Sequence, residues 1–140
     1  LAGEVNSGMP AWVVGKIAHG LNLRKKSVRG SKILVLGIAY KKNVDDMRES
    51  PAVAIMEILK DMGAQLSYSD PHVPVFPKMR HHSFDLKSIA LSSSVVASSD
   101  CVLVATNHDK FDFPMIKKNA ELIVDTRGVY LTPAPNVVKA

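Results

Sequence analysis

The chain is poor in cysteine. Cys101 is the one thiol in 140 residues, which excludes an internal disulfide framework and fits a reducing compartment. Long apolar runs are also missing: none approaches the roughly 20 residues of a membrane span, and no charged-then-apolar leader is read. The expectation is therefore a cytoplasmic protein with no membrane contact. Aromatic residues are 6% of the chain, and none interleaves with the basic cluster Arg24, Lys25, Lys26, Arg29 and Lys32. That cluster supplies part of a formal net charge of +5. Without stacking residues or a recognition helix it reads as a solvated linker rather than a nucleic-acid surface. There is no Gly-x-Gly-x-x-Gly and no Gly-Lys-Ser/Thr, so neither the dinucleotide nor the P-loop fingerprint is present. His81 and His82 are adjacent, with no third ligand at zinc spacing, so no metal site is expected.

What is present is an alternation of strand and helix patterns. Apolar content is 46%, enough for a sizeable core in one domain. Val5, Met9, Val13, Ile17 and Leu21 step by four and predict an amphipathic helix over residues 1–23, widened by Trp12. Either this helix starts near Gly8, with Pro10 in its first turn, or Pro10 kinks a longer one. Its stripe needs a partner: this domain, a preceding one, or a second subunit. Residues 24–31 read as a basic linker. Residues 32–38 form a buried strand around Ile33, Leu34, Val35 and Leu36, ending at Gly37. A charged loop follows, then a helix over Pro51–Met62 with Ser50 as N-cap and Gly63 as stop. Gln65–Ser69 is a second strand. Such a strand–helix–strand unit predicts a right-handed crossover onto a parallel sheet. The prolines at 71, 74 and 77 mark a surface loop. Beyond it come a short serine-capped helix ending at Ser98, a buried strand over 101–106, a helix over Asp112–Asn119, a strand over Leu122–Val124 and an irregular tail.

In a parallel sheet the polar groups after each strand lie on one edge, where open α/β sheets bind ligands. Lys41 after the first strand and Arg127 after the last are then placed to converge beside a helix N-terminus. Diphosphate recognition needs this set of fixed cations and N–H donors. The alternative is that Arg127 pairs with Asp125 or Asp46 while Lys41 is solvated. Spacing alone does not separate the two. Cys101 opens a buried strand and reads as an inert thiol. His108 has the chemistry for acid–base work, though beside Asp109 it reads more simply as a local hydrogen-bonding residue. Asp45-Asp46 suggests the acidic pair of a receiver domain, but no acceptor Asp follows and Arg127 stands where a Lys belongs.

The run from Gly37 to Pro51, Gly-Ile-Ala-Tyr-Lys-Lys-Asn-Val-Asp-Asp-Met-Arg-Glu-Ser-Pro, resembles the motif opening the C-terminal domain of the UDP-glucose/GDP-mannose dehydrogenase family. Asn6–Val14, Tyr68–Pro74, Asp100–His108 and Val124–Arg127 are similar to the family's other signatures, in order along nearly the whole chain. The resemblance implies a Rossmann-like three-layer α/β fold: a parallel sheet with helices on both faces, preceded by part of a central interdomain helix. On this pattern residues 1–23 end that dimerisation helix, 24–31 are linker and 32–140 are a C-terminal UDP-sugar-binding domain. The family's enzymes oxidise the C6 alcohol of a nucleotide sugar to a carboxylate with NAD, through a cysteine thiohemiacetal. By position, the Tyr40 backbone, Lys41 and Arg127 would bind the UDP-sugar and Arg48 would approach NAD. The central helix would form a homodimer contact, giving the stripe on residues 5–21 its partner. The NAD fingerprint and the catalytic cysteine motif are absent, and Cys101 does not match that cysteine. The chain is therefore expected to be the C-terminal portion of a larger enzyme, inactive alone, with no catalytic residue of its own. Tyr40 and the Asp70–Pro74 run look more like members acting on UDP-N-acetylhexosamines. A free-standing, receiver-like α/β interaction module stays open beside this reading.

Overall fold

The computed structural model describes residues 2–39, 41–43, 50–78 and 84–140. Helix α1 spans Ala2–Leu23, strand β1 Lys32–Leu36, α2 Pro51–Asp61, β2 Gln65–Ser69 and α3 Ser93–Ser98. β3 is Cys101–Val104, α4 Phe113–Asn119, β4 Ile123–Asp125 and β5 Val137–Lys139. The five strands form one sheet in the order β2-β1-β3-β4-β5, with every neighbouring pair parallel.

The sheet is covered on both faces, which is why its strands read as unbroken apolar runs. Side chains alternate between the faces. Ile33, Val35, Cys101, Leu103, Leu122 and Val124 pack with α1 and α2. Leu34, Leu36, Val102, Val104 and Ile123 pack on the other side with Val96 of α3 and Ile116 of α4. Helix, sheet and helix make the three layers expected.

Helix α1 is continuous through Pro10, so the longer of the two helix alternatives forms. Val5, first in the expected stripe, lies outside the residues whose side chains are described. From Met9 onward the stripe turns inward: Val13, Val14, Ile17 and Leu21 are buried in this domain's own core. Of the partners left open for it, this part of the stripe packs on the domain itself, with α1 lying across α2 and β4. Gly20 permits that approach, since a Cβ there would stand 2.9 Å from Leu122 Cδ2. The outward side carries Trp12, 60% exposed, with Lys16 Nζ 4.7 Å from its ring centroid.

Helix α2 ends as its sequence predicts. Gly63 takes φ +91°, its N–H donates to the Lys60 carbonyl, and the Ala64 N–H donates to that of Leu59. This is the Schellman arrangement, which needs a left-handed residue at that position. Ser92 caps α3 by accepting the Val95 N–H, and Asp112 caps α4 by accepting that of Met115. Some expectations fail. The first strand stops at Leu36 because Gly37 turns out of the ladder at φ +79°, and the strand expected over 101–106 ends at Val104. The tail is not irregular throughout: β5 adds to the sheet beside β4, a non-local pairing that the proline-rich local sequence hides.

The basic stretch after α1 is tied to the amino-terminal edge of the sheet rather than simply solvated. Arg24 donates to the Gly20 and Pro135 carbonyls, at 3.0 and 3.2 Å. Lys26 Nζ lies 2.8 Å from Asp100 and 2.9 Å from Glu121. Asp100 also accepts the Lys32 N–H at the start of β1. The Lys26 hydrogen bond, with that of Lys32, holds the Asp100 carboxyl below its ordinary range against the opposing effect of burial. A depressed carboxyl means that the unfolded chain takes up its proton first as pH falls. This stability is full above the unfolded pKa and disappears as pH drops through the folded one. Asp100→Asn is thus expected to flatten the loss of stability between about pH 5 and 2, read as urea midpoints across that range.

Candidate functional site

The carboxyl ends of β1, β2, β3 and β4 share one edge of the sheet, since all four run parallel. β1 lies between β2 and β3, so the residues following those two strands flank the loop that leaves β1. That loop holds Lys41, which is exposed. Tyr40 and Arg48, the other two positions singled out on it, lie outside the described residues, as does the His81-His82 pair.

The loop's main chain is held by side chains from three directions. Asp70, after β2, is 1% exposed, and its Oδ2 accepts the N–H groups of Ile38 at 2.8 Å and Ala39 at 3.3 Å. Ser50 donates its hydroxyl to the Ile38 carbonyl at 2.6 Å. It therefore occupies the N-cap position of α2 without capping it through its side chain, a correction to the expected role. Thr106, after β3, donates to the Ala39 carbonyl at 2.6 Å. Gly37 is required here, because a Cβ would meet the Thr106 Cβ at 2.5 Å and its carbonyl oxygen at 2.6 Å.

His108 closes the arrangement. It is fully buried, its Nε2 3.0 Å from Asp70 Oδ2, while its Nδ1 accepts the Asn43 N–H at 2.6 Å. The Asn43 N–H can only donate, so Nδ1 must offer a lone pair and the ring proton sits on Nε2, facing the carboxylate. Asn43 takes φ +63°, and its side chain exchanges two hydrogen bonds with Asp109: Nδ2 donates to Oδ2, and Oδ1 accepts the Asp109 N–H. Burial works to raise the Asp70 carboxyl. The bonds from His108, Ile38 and His72 outweigh it and leave the group below its ordinary range.

A second buried carboxylate arranges the end of β4. Asp125 accepts the N–H of Arg127 through Oδ1 and that of Tyr130 through Oδ2, at 3.0 and 2.9 Å. Thr126 donates to the Val104 carbonyl, and Arg127 Nε donates to that of Ala105 at 2.8 Å. Arg127 therefore leans from β4 across the end of β3, toward the β1 side. The Asp125 carboxylate serves the main chain of this turn, and Asp46, the other proposed partner of Arg127, lies outside the described residues. A cleft of about 500 Å³ opens farther along the edge, between Ser69, Pro71, Ser88, Lys110 and Phe111, and includes neither Lys41 nor Arg127.

Asp70 and His108 were legible in the sequence only as a turn former and a loop histidine. Their meeting depends on strand order, and an Asp after one strand with a His after another was the available signal. Cys101 lies in the core, where burial pushes its thiol up to about 12.

Residues 34–132 match the model of the UDP-glucose/GDP-mannose dehydrogenase family, UDP binding domain. The chain belongs to that family. Similar proteins include the UDP-N-acetyl-D-mannosamine dehydrogenase of Methanococcus maripaludis, 36% identical over 110 residues, covering 79% of this chain and 23% of the relative. The UDP-glucose 6-dehydrogenase of Rhizobium meliloti is 34% identical, over 74% of this chain and 24% of its own length. Among solved structures, the UDP-D-ManNAc dehydrogenase of Pyrococcus horikoshii superposes with a TM-score of 0.75 at 25% identity, over 97% of this chain and 31% of that one. The UDP-N-acetyl-mannosamine dehydrogenase of S. aureus gives 0.68 at 28% identity, again over 97% and 31%. The chain thus spans under a third of the length of these relatives.

Two outcomes test this local geometry. Gly37→Ala should lose at least about 1–2 kcal/mol from the left-handed backbone alone, with the clash against Thr106 adding to it, measured by urea unfolding. Cys101 should resist a thiol reagent at pH 8 in the folded chain and react once urea unfolds it.

Proposed function

We propose that this chain is the UDP-binding end of an NAD-dependent nucleotide-sugar 6-dehydrogenase, one that oxidises the C6 alcohol of a UDP-sugar to a carboxylate. The observation that carries the reading is the placing of Lys41 and Arg127 on one sheet edge, after β1 and β4, with Arg127 leaning over the end of β3. Two cations from separate strand ends beside the start of α2 suit a diphosphate, which takes charge-assisted bonds in fixed directions. In this reading Lys41 and the Tyr40 backbone hold the nucleotide, Arg127 binds it through its guanidinium, and Arg48 approaches NAD.

The residues present do not suit NAD as a principal ligand of this domain. The turn after β1 carries one glycine, Gly37, and Thr106 fills the space beside it, where a dinucleotide fold brings backbone against pyrophosphate. NAD is proposed to be bound mainly by an N-terminal domain, with a central domain between, neither of them in this chain. Residues 1–23 then end the central helix, 24–31 link it and 32–140 form the UDP-sugar domain. A homodimer, if α1 forms it, uses the outward side bearing Trp12. The substrate class suggested by the mannosamine-type relatives is a UDP-N-acetylhexosamine, acted on in the cytoplasm. Among the described residues no helix is long and apolar enough to cross a membrane.

Titrating the ¹⁵N-labelled chain with UDP tests the reading. Amide shifts should cluster on residues 37–43 and 125–128. Lys41→Ala and Arg127→Ala should each weaken binding by about tenfold, the value of one charge-assisted contact. Binding indifferent to both substitutions removes the site. The chain alone should show no turnover with NAD and UDP-sugars.

A further inference from the structure

We propose that His108 is a positioning residue of the nucleotide site: it fixes the loop that carries Lys41 by holding the main chain of Asn43. The inference rests on the UDP-binding reading and adds to it a residue outside the loop itself. Its ground is where the loop's anchors fall. Before Lys41, the main chain is held at Ile38 and Ala39 by Asp70, Ser50 and Thr106. After Lys41, it is held at Asn43, where the N–H donates to His108 Nδ1 at 2.6 Å. Lys41 thus stands between two clamps, and the second is a buried imidazole reached from β3.

The ring is locked for this task. Nε2–H donates to Asp70 Oδ2, the same oxygen that accepts the Ile38 and Ala39 N–H groups. The two clamps therefore share one carboxylate, and displacement of either is felt by the other. Rings of His72, at 4.6 Å, and Phe111, at 5.6 Å, wall the imidazole in. Asp109, next in sequence, holds the Asn43 side chain. A cation fixed in advance meets a diphosphate without first losing loop freedom, which is how preorganisation raises affinity.

Two near-isosteric variants separate the two bonds of the ring. The His108→Asn carboxamide places an oxygen near the Nδ1 position, able to accept from Asn43, but falls short of Asp70. The His108→Gln amide reaches the Nε2 position and can donate to Asp70, but leaves the Asn43 N–H without an acceptor. UDP affinity and Asn43 amide exchange are measured for both. His108→Gln is expected to weaken UDP binding by about three- to tenfold and to speed Asn43 exchange, while His108→Asn restores most of both. Equal UDP affinity in His108→Gln and the parent chain overturns the proposal, as does failure of His108→Asn to rescue while still folded. A measurement on the parent chain needs no variant: the imidazole ¹⁵N shifts should report a neutral ring protonated at Nε2. A proton on Nδ1 in the folded chain at neutral pH overturns the anchor whatever the variants do. Should the parent chain show no UDP binding, the nucleotide reading falls and takes the positioning role with it, while the ¹⁵N shifts and Asn43 exchange report separately whether the anchor exists.

Discussion

The buried carboxylate of Asp70 is the constraint on which the candidate site depends. An ionised carboxyl removed from water is costly unless its oxygens are hydrogen-bonded. Here the donors are the N–H groups of Ile38, Ala39 and His72 and the imidazole of His108. Three of the four come from outside its own turn. The charge is tolerable only when β1, β2 and β3 are assembled, so forming the sheet and shaping the loop after β1 are one event.

The two edges of the sheet use charge differently. At the amino edge Lys26 is matched by Asp100 and Glu121, and the result is a tether between the segment after α1 and the starts of β1 and β3. At the carboxyl edge Asp70 and Asp125 are turned inward to main-chain N–H groups, and Lys41 and Arg127 stand on the loops those carboxylates shape. The proposed anion site lies on this edge, where buried acids order the backbone that carries both cations. The UDP binding domain of the nucleotide-sugar dehydrogenases, the family to which this chain belongs, is consistent with such an edge.

Much of this was readable from residue order. The apolar runs at Ile33–Leu36 and Cys101–Val104, the serine cap of α3 and the Gly63 stop of α2 are local, and each formed as the pattern indicates. What was left open or misread was mostly non-local. Ser50 looks like an N-cap because of the proline after it, yet its hydroxyl serves Ile38, twelve residues earlier. The stripe on α1 left three partners open, and its residues from 13 to 21 pack on this domain's own core. β5 pairs with β4 despite the prolines before it.

Period, caps and turn residues act over a few positions, so the sequence by itself determined the four helices and the first four strands, that the sheet is parallel, and that polar loops follow its strands. It also carried the ordered motifs by which the family is known. Only the tertiary structure decided that β1 lies between β2 and β3, and with it that Asp70 and His108 meet over one loop. These residues stand 38 positions apart, joined by a 3.0 Å bond that no local rule encodes, because strand order is settled by the packing of whole layers rather than by any neighbour in the chain.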